Sequence, residues 1–398
     1  MQYGARMIAP RTRRFDVATA SLTPALLLLA AACTASCSSS GGLTPEDGGL
    51  THGEGGSGVT PGADSGPATS GTKIASGLTN PEIILADATN LYWTENLSPV
   101  ANPMGPFAVV KMPKTGGTPV TLAKLKADIT PAALASDGTT LYWSALVDDL
   151  SNYANSGGIM SVPIKGGTVA TLVSVPSTEI YAPIAIDDAS VYFFTSPQVS
   201  LKLSSIPKAG GTAKLLATLS AKTSLNFIVN GVAIEGSDLY VTYTEDATGV
   251  VASIPTAGGT PKTLTSGALK SAQLYGCSVD AERVYWLSNY AGSTGTNTAL
   301  AVPIAGGAVA TLGSLPSNEY AGNIGPDALP TNIALDDTNL YWTTAQAIVS
   351  LPKKGGTPVT VALNAADAPA PFTIDSTNVY WIEGGKTATT GAIFKAPK

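Results

Sequence analysis

Between residues 71 and 398, short apolar stretches alternate with clusters of Gly, Asp, Asn, Ser and Thr. None of these stretches carries the three-to-four-residue spacing of an amphipathic helix. Runs this short, rich in Val, Ile, Tyr and Trp and bounded by turn residues, predict β-strands. The pattern also repeats. An acidic residue, a turn and an aromatic pair recur as Asp87…Tyr92-Trp93, Asp137…Tyr142-Trp143, Asp187…Tyr192-Phe193, Glu235…Tyr240-Val241, Asp280…Tyr285-Trp286, Asp336…Tyr341-Trp342 and Asp375…Tyr380-Trp381. A second element follows each pair: Pro113-Lys-Thr-Gly116-Gly117 first, then copies beginning at Pro163, Pro207, Pro255, Pro303 and Pro352, and a seventh that stops at Pro397-Lys398.

Each unit therefore predicts four strands. Strand A precedes the acidic residue, B carries the aromatic pair, C runs into the proline and D follows Gly-Gly. A period of roughly 40–50 residues made of four short strands is the signature of a propeller blade. Gly-Gly between two strands predicts a tight hairpin with primed geometry, since glycine accepts positive φ without steric cost. The third residue before the acidic position is Ile84, Leu134, Ile184, Val232, Cys277, Ile333 or Phe372, an apolar set expected to be buried between blades. Cys277 then reads as a small core hydrophobe.

The two ends of the repeat complement each other. The last unit has strands A, B and C but no D, and Gly71-Thr-Lys-Ile-Ala-Ser-Gly77 is a D strand without a unit. Joining them predicts an all-β, seven-bladed β-propeller closed by its N-terminal strand, which removes two open sheet edges.

Ahead of the repeats the chain changes character. Arg6, Arg11, Arg13 and Arg14 precede an apolar run, Leu22 to Ala32, too short to span a bilayer. Small residues then lead into Cys33, with Cys37 shortly after. This arrangement resembles a bacterial lipobox, which implies a signal peptide over 1–32 and acylation of Cys33, with Cys37 as the alternative. Neither cysteine is followed by Asp, and by the same resemblance that favours the outer membrane of the cell envelope. Residues 33–70, dominated by Gly, Ser, Thr and Pro, predict a disordered tether.

Tyr92-Trp93-Thr94-Glu95, Tyr142-Trp143-Ser144 and Tyr341-Trp342-Thr343 resemble the YWTD repeat of low-density-lipoprotein-receptor-type propellers. The resemblance spans 71–398 and implies a propeller that binds proteins without chemistry. The chain departs from that family at the fourth position, where Glu95, Ala145 and Thr344 replace Asp, so the family's Asp-based contacts between blades do not carry over. The Pro-x-x-Gly-Gly-Thr element is also similar to repeats of uncharacterised bacterial envelope lipoproteins.

Composition narrows the function. Charged residues make up 13% of the chain and the net charge is −6, which excludes the basic face that nucleic acid requires. The one histidine, His52, lies in the tether, so the folded region offers no Ser-His-Asp triad and no histidine zinc site. No cofactor and no metal are expected, and the repeated Asp reads as a turn residue that bonds its own backbone. The A–B and C–D turns are short and share one face of the disc; the B–C and D–A connections are long, irregular and opposite. Binding is expected on that second face, with Tyr153, Tyr181, Tyr290 and Tyr320 as aromatic candidates and Asp148, Asp149, Glu179, Glu319 and Asp327 as acidic ones. The expected protein is an envelope-anchored, monomeric, non-catalytic module for a protein or glycan ligand. The alternative is a carboxylate- or metal-dependent propeller hydrolase or lyase.

Overall fold

A computed structural model of the 398-residue chain describes residues 70–98, 106–126, 129–149, 154–175, 179–196, 200–220, 227–245, 248–270, 272–290, 296–316, 333–344, 346–363, 371–384 and 390–398. The described strands form seven four-stranded antiparallel sheets, six of them consecutive meanders. In the seventh, strands A (Phe372–Ile374), B (Asn378–Glu383) and C (Gly391–Pro397) are completed by the chain's first strand, Thr72–Leu78. That strand runs antiparallel to the last one, from Thr72 opposite Lys395 to Leu78 opposite Gly391. The protein is thus a seven-bladed β-propeller whose ring is closed by strands from both ends of the described region.

The core is a series of layers between blades. Within a B strand, Tyr92 and Trp93 point to opposite faces of their sheet, as strand geometry requires. Tyr92 packs with the blade 2 tryptophan, Trp143, and Trp93 packs with Tyr380 of blade 7. The same exchange joins Tyr285 to Trp342 and Tyr341 to Trp381. The repeated aromatic pair is therefore one side chain for each neighbour. In blade 4 the pair is Tyr240-Val241, and Val241 takes the tryptophan's place in the layer shared with Tyr192 and Leu203 of blade 3.

Two local expectations need correction. The glycines are not the centre of a primed two-residue hairpin. The reversal is made by Pro113-Lys114-Thr115-Gly116, closed by Gly116 N–H donating to the Pro113 carbonyl at 2.9 Å, and both glycines follow with φ of 91° and 137°. The proline ends strand C, and the two glycines swing the chain back to a D strand that starts only at Val120. Burial of the apolar A-strand position is also uneven. Ile84, Ile333 and Phe372 are buried, whereas Leu134, Ile184, Val232 and Cys277 keep part of their surface exposed.

Candidate interaction face

The face carrying the A–B and C–D turns is built almost entirely from its own hydrogen bonds. In six blades the turn aspartate uses one oxygen for the turn itself: Asp87 Oδ1 accepts the N–H groups of Thr89 and Asn90, both at 2.7 Å. Its other oxygen accepts the hydroxyl of the tyrosine five residues on, Tyr92 at 2.6 Å. Asp137, Asp187, Asp280, Asp336 and Asp375 repeat the pattern. Blade 4 departs from it: Glu235 and Asp238 face each other across a two-residue Gly236-Ser237 loop, with Gly236 at φ 59°. In all seven blades the residue after the proline donates its N–H to the A–B turn, from Lys114 to the Thr89 carbonyl in blade 1 through Lys398 to the Thr377 carbonyl in blade 7.

Lysines then tie each blade to the next. Lys114 of blade 1 reaches Asp375 of blade 7 at 2.7 Å, Lys208 of blade 3 reaches Asp137 of blade 2 at 3.0 Å, Lys353 of blade 6 reaches Asp280 of blade 5 at 2.9 Å, and Lys398 of blade 7 reaches Asp336 of blade 6 at 2.6 Å. Each of these ammonium groups also lies 5.3 to 6.0 Å from the ring centre of the tyrosine bound to the same aspartate, a distance at which the ring face attracts a cation. Three blades have Ile164, Thr256 or Ile304 in place of this lysine. At those junctions the preceding blade reaches forward instead: Lys111 to the Ile164 carbonyl, Lys214 to the Ala257 carbonyl and Lys262 to the Ala305 carbonyl, at 2.7, 2.8 and 2.7 Å. Every blade junction thus carries one lysine bridge on this face. The blade without a turn aspartate, blade 4, is followed by Ile304, so no lysine is left facing a missing partner.

These bonds shift the acids strongly. Burial opposes ionisation of Asp375, but the Lys114 ammonium, the N–H groups of Thr377 and Asn378 and the Tyr380 hydroxyl outweigh it and hold the carboxyl well below the usual carboxylate range. Burial and the adjacent Asp375 push the Tyr380 phenol up to about 12. The aspartate oxygens are filled by donors, and among the described residues no group of three or more His, Cys, Asp or Glu could hold a metal ion.

The opposite face collects the strand ends that lead into the B–C and D–A connections. Asp148 and Asp149 end the B strand of blade 2, Thr140–Asp149, opposite Asn155 and Ala154. Glu179 opens the A strand of blade 3 opposite Ser196, and Tyr181 follows where the register shifts between Ile180 and Ile184. Tyr290 ends the B strand of blade 5 opposite Ala272. These five candidates therefore lie at backbone positions on the expected face. Tyr153, Tyr320, Glu319 and Asp327, like Cys33 and Cys37, lie outside the described residues.

Sequence reasoning missed a polar pair on this face. Glu82, near the start of the A strand Pro81–Ala86, bonds the side chain of Asn96 at the end of the B strand Asn90–Asn96, and Asn96 Oδ1 accepts the Ser98 N–H at 3.1 Å. Blade 4 holds the corresponding pair, Asn230 Nδ2 to Thr244 Oγ1 at 3.1 Å. Burial raises the Glu82 carboxyl to about 7, with the Asn96 bond opposing. The folded chain thus holds this proton more tightly than the unfolded chain. Glu82 is harmless below about pH 4, and its charge becomes destabilising as pH rises towards 7. Glu82→Gln should raise the thermal midpoint at pH 8 and leave it unchanged at pH 4; equal shifts at both would remove burial of the charge as the cause.

Cys277 donates its thiol to the Tyr240 carbonyl at 3.4 Å, and burial pushes that thiol up to about 12. In a variant lacking Cys33 and Cys37, native protein at pH 8 should resist thiol reagents until it is unfolded.

No family model matches the sequence, and no curated protein does. Among solved structures the chain is similar to a puromycin-hydrolyzing peptidase of Mycobacterium tuberculosis, at 16% identity over 83% of this chain and 55% of that one, with a TM-score of 0.54. It is also similar to the β-propeller domain of the Trilobed protease of Pyrococcus furiosus, at 10% identity over 80% of this chain and 95% of that one, with a TM-score of 0.51. A match to a nidogen/laminin complex, at 14% identity over 64% of this chain and 96% of that one, has a TM-score of 0.42. At such identities the likeness is one of fold alone. The Pyrococcus propeller is described as having an open velcro topology, whereas here the first strand is paired into the last blade.

Proposed function

We propose that this protein is a non-catalytic binding module, held at the bacterial envelope by a lipid on Cys33 or Cys37, that presents its B–C/D–A face to a protein or glycan. The asymmetry between the two faces carries this reading. The A–B/C–D face spends its recurring aspartates, tyrosines and bridging lysines on its own closure. The other face varies from blade to blade on a rigid ring, the setting in which recognition is usually placed. The likeness of Tyr92-Trp93-Thr94 and its copies to the YWTD repeat favours a protein ligand.

The test is capture from envelope extracts by the immobilised full chain. A specific protein or glycan should be retained, should be lost on Asp148→Lys/Asp149→Lys, and should survive Thr89→Lys on the opposite face. Retention of nothing specific, or loss only with Thr89→Lys, would overturn the reading. Anchoring is tested separately: Cys33→Ala should abolish fatty-acid labelling, labelling that persists would move the site to Cys37, and labelling of the double variant would rule out both.

One observation favours the enzyme alternative. Glu82, a half-buried carboxyl that burial raises to about 7 against the opposing Asn96 bond, has the properties of a general acid. Hydrolysis of a glycoside or lactone panel that Glu82→Gln abolishes would establish it.

A further inference from the structure

We infer that the seam between blades 5 and 6 is a binding site for one water molecule, which accepts a hydrogen bond from Trp342 Nε1–H and donates one to Asn297 Oδ1. Both atoms are buried and neither has a partner among the described residues. An unpaired buried amide oxygen or indole N–H costs about 1–3 kcal/mol, so two of them in one seam call for a common solution.

The register puts them in the same layer. In blade 5, Leu287 pairs with Ala299, and both pack with Trp342 of blade 6. Asn297 lies two residues from Ala299 on the same strand, opposite Asn289, and so projects to the same side of the sheet. The corresponding strand-C position is Phe107 in blade 1, Gly157 in blade 2, Leu201 in blade 3 and Gly249 in blade 4. Blade 6 carries an exposed Gln346 there and blade 7 Gly391, so blade 5 alone buries a hydrogen-bonding side chain at this position, Asn297 being 1% exposed.

The donor is one of three buried indoles, with Trp143 and Trp286, that lack a partner among the described residues, and the one whose layer also holds an unpaired acceptor. Trp93 and Trp381 donate their indole N–H to a glutamate two residues along the strand, Glu95 at 2.8 Å and Glu383 at 3.0 Å. In blade 6 that position is Thr344, whose hydroxyl is committed to its own turn. It donates to the Ala347 carbonyl at 3.3 Å and accepts the Ala347 N–H at 3.0 Å. The Trp342 indole is thereby left to a partner from outside the blade, on the loop-face side where Asn297 stands. A donor and an acceptor that share a layer without bonding each other are what a bridging water satisfies, and buried waters are held by such groups.

The experiment uses the full chain. A high-resolution crystal structure should show a water within hydrogen-bonding distance of both atoms, and the Trp342 indole proton should give a direct cross-relaxation signal to a long-lived water. Asn297→Phe, which installs the side chain that blade 1 carries at this position, should fold and lose both signals. Trp342→Phe should lose the water density with the ring layer intact. A direct bond between Trp342 and Asn297, a seam without water in the wild-type crystal, or a water signal unchanged by Asn297→Phe would each overturn the site.

Discussion

Deleting Thr72–Leu78 should cost the protein its single cooperative unfolding transition. That strand supplies five paired positions to the last strand of blade 7. Its Leu78, with Ile74 and Ala75 beside it, packs in the layer built by Ile84, Trp93, Tyr380 and Ile393. Removing a buried leucine alone costs about 2–5 kcal/mol, against a total margin of roughly 5–15 kcal/mol for a typical domain. The deletion also strips the outer edge of Gly391–Pro397 and reopens the ring. The truncated chain should melt broadly and at lower temperature by circular dichroism, and should associate on size exclusion through the bared edge. A permuted chain separates loss of the strand from loss of the terminus. If residues 71–78 are moved behind Lys398 through a Thr-Gly-Gly link, which imitates the turn after Lys114, the sharp melt should return. A truncated chain that melts like the wild type would show that closure adds nothing.

The second large effect is expected at Asp375. Asp375→Ala removes the acceptor of the Lys114 ammonium, the Tyr380 hydroxyl and two backbone N–H groups together. Lys114 and Asp375 are mostly buried, with side chains 13% and 16% exposed. Removing one partner of a buried pair strands the other charge, at about 3–5 kcal/mol. Urea midpoints should therefore fall steeply for Asp375→Ala. Lys114→Met should do less harm, since it leaves the aspartate its other donors and places an apolar chain over the Tyr380 ring. The pH dependence follows from the directions of the shifts. The aspartate's folded-state value is depressed, so its contribution is complete above the unfolded value near 4 and lost as pH falls below it. The tyrosine's value is raised, so its contribution is complete below the unfolded value near 10 and lost as pH climbs towards 12. Stability supplied by each staple should form a plateau between those limits, and Asp375→Ala should shrink both shoulders by one staple's share, since five other aspartates repeat the pattern. Unchanged shoulders would place the titrating groups elsewhere.

Much of the fold was legible because the repeat is written in residues that act alone. An aspartate that closes its own turn, a tyrosine and tryptophan on opposite sheet faces, and a proline that stops a strand need no knowledge of the neighbouring unit. The orphan strand at Gly71–Gly77 could be assigned by the same logic. What lay between units was harder. Lys114 meets an aspartate 261 residues away, and no local pattern announces such a pair. The signal was present only as a correlation between repeats: lysine after the proline wherever the preceding blade both carries a turn aspartate and sends no lysine forward. The Gly-Gly turn was misjudged because two glycines fit a primed hairpin as readily as they fit the positions after a Pro-initiated turn. On the loop face, Glu82 and Asn96 fall where the repeats cease to resemble one another, so periodicity could say only that the region varies.

The direction of the closing strand has a mechanical side. It enters at Thr72, beside Lys395 on the tight-turn face, and leaves at Leu78 towards the loops. Under the proposed anchoring, tension on the chain ahead of Thr72 would thus pull along the strand's own axis, against a load applied to the far face. Pulled this way, the rungs of the ladder to Gly391–Pro397 bear the force together instead of parting one at a time from an end. The strand that completes the ring is thereby set in a geometry that resists being drawn out of it.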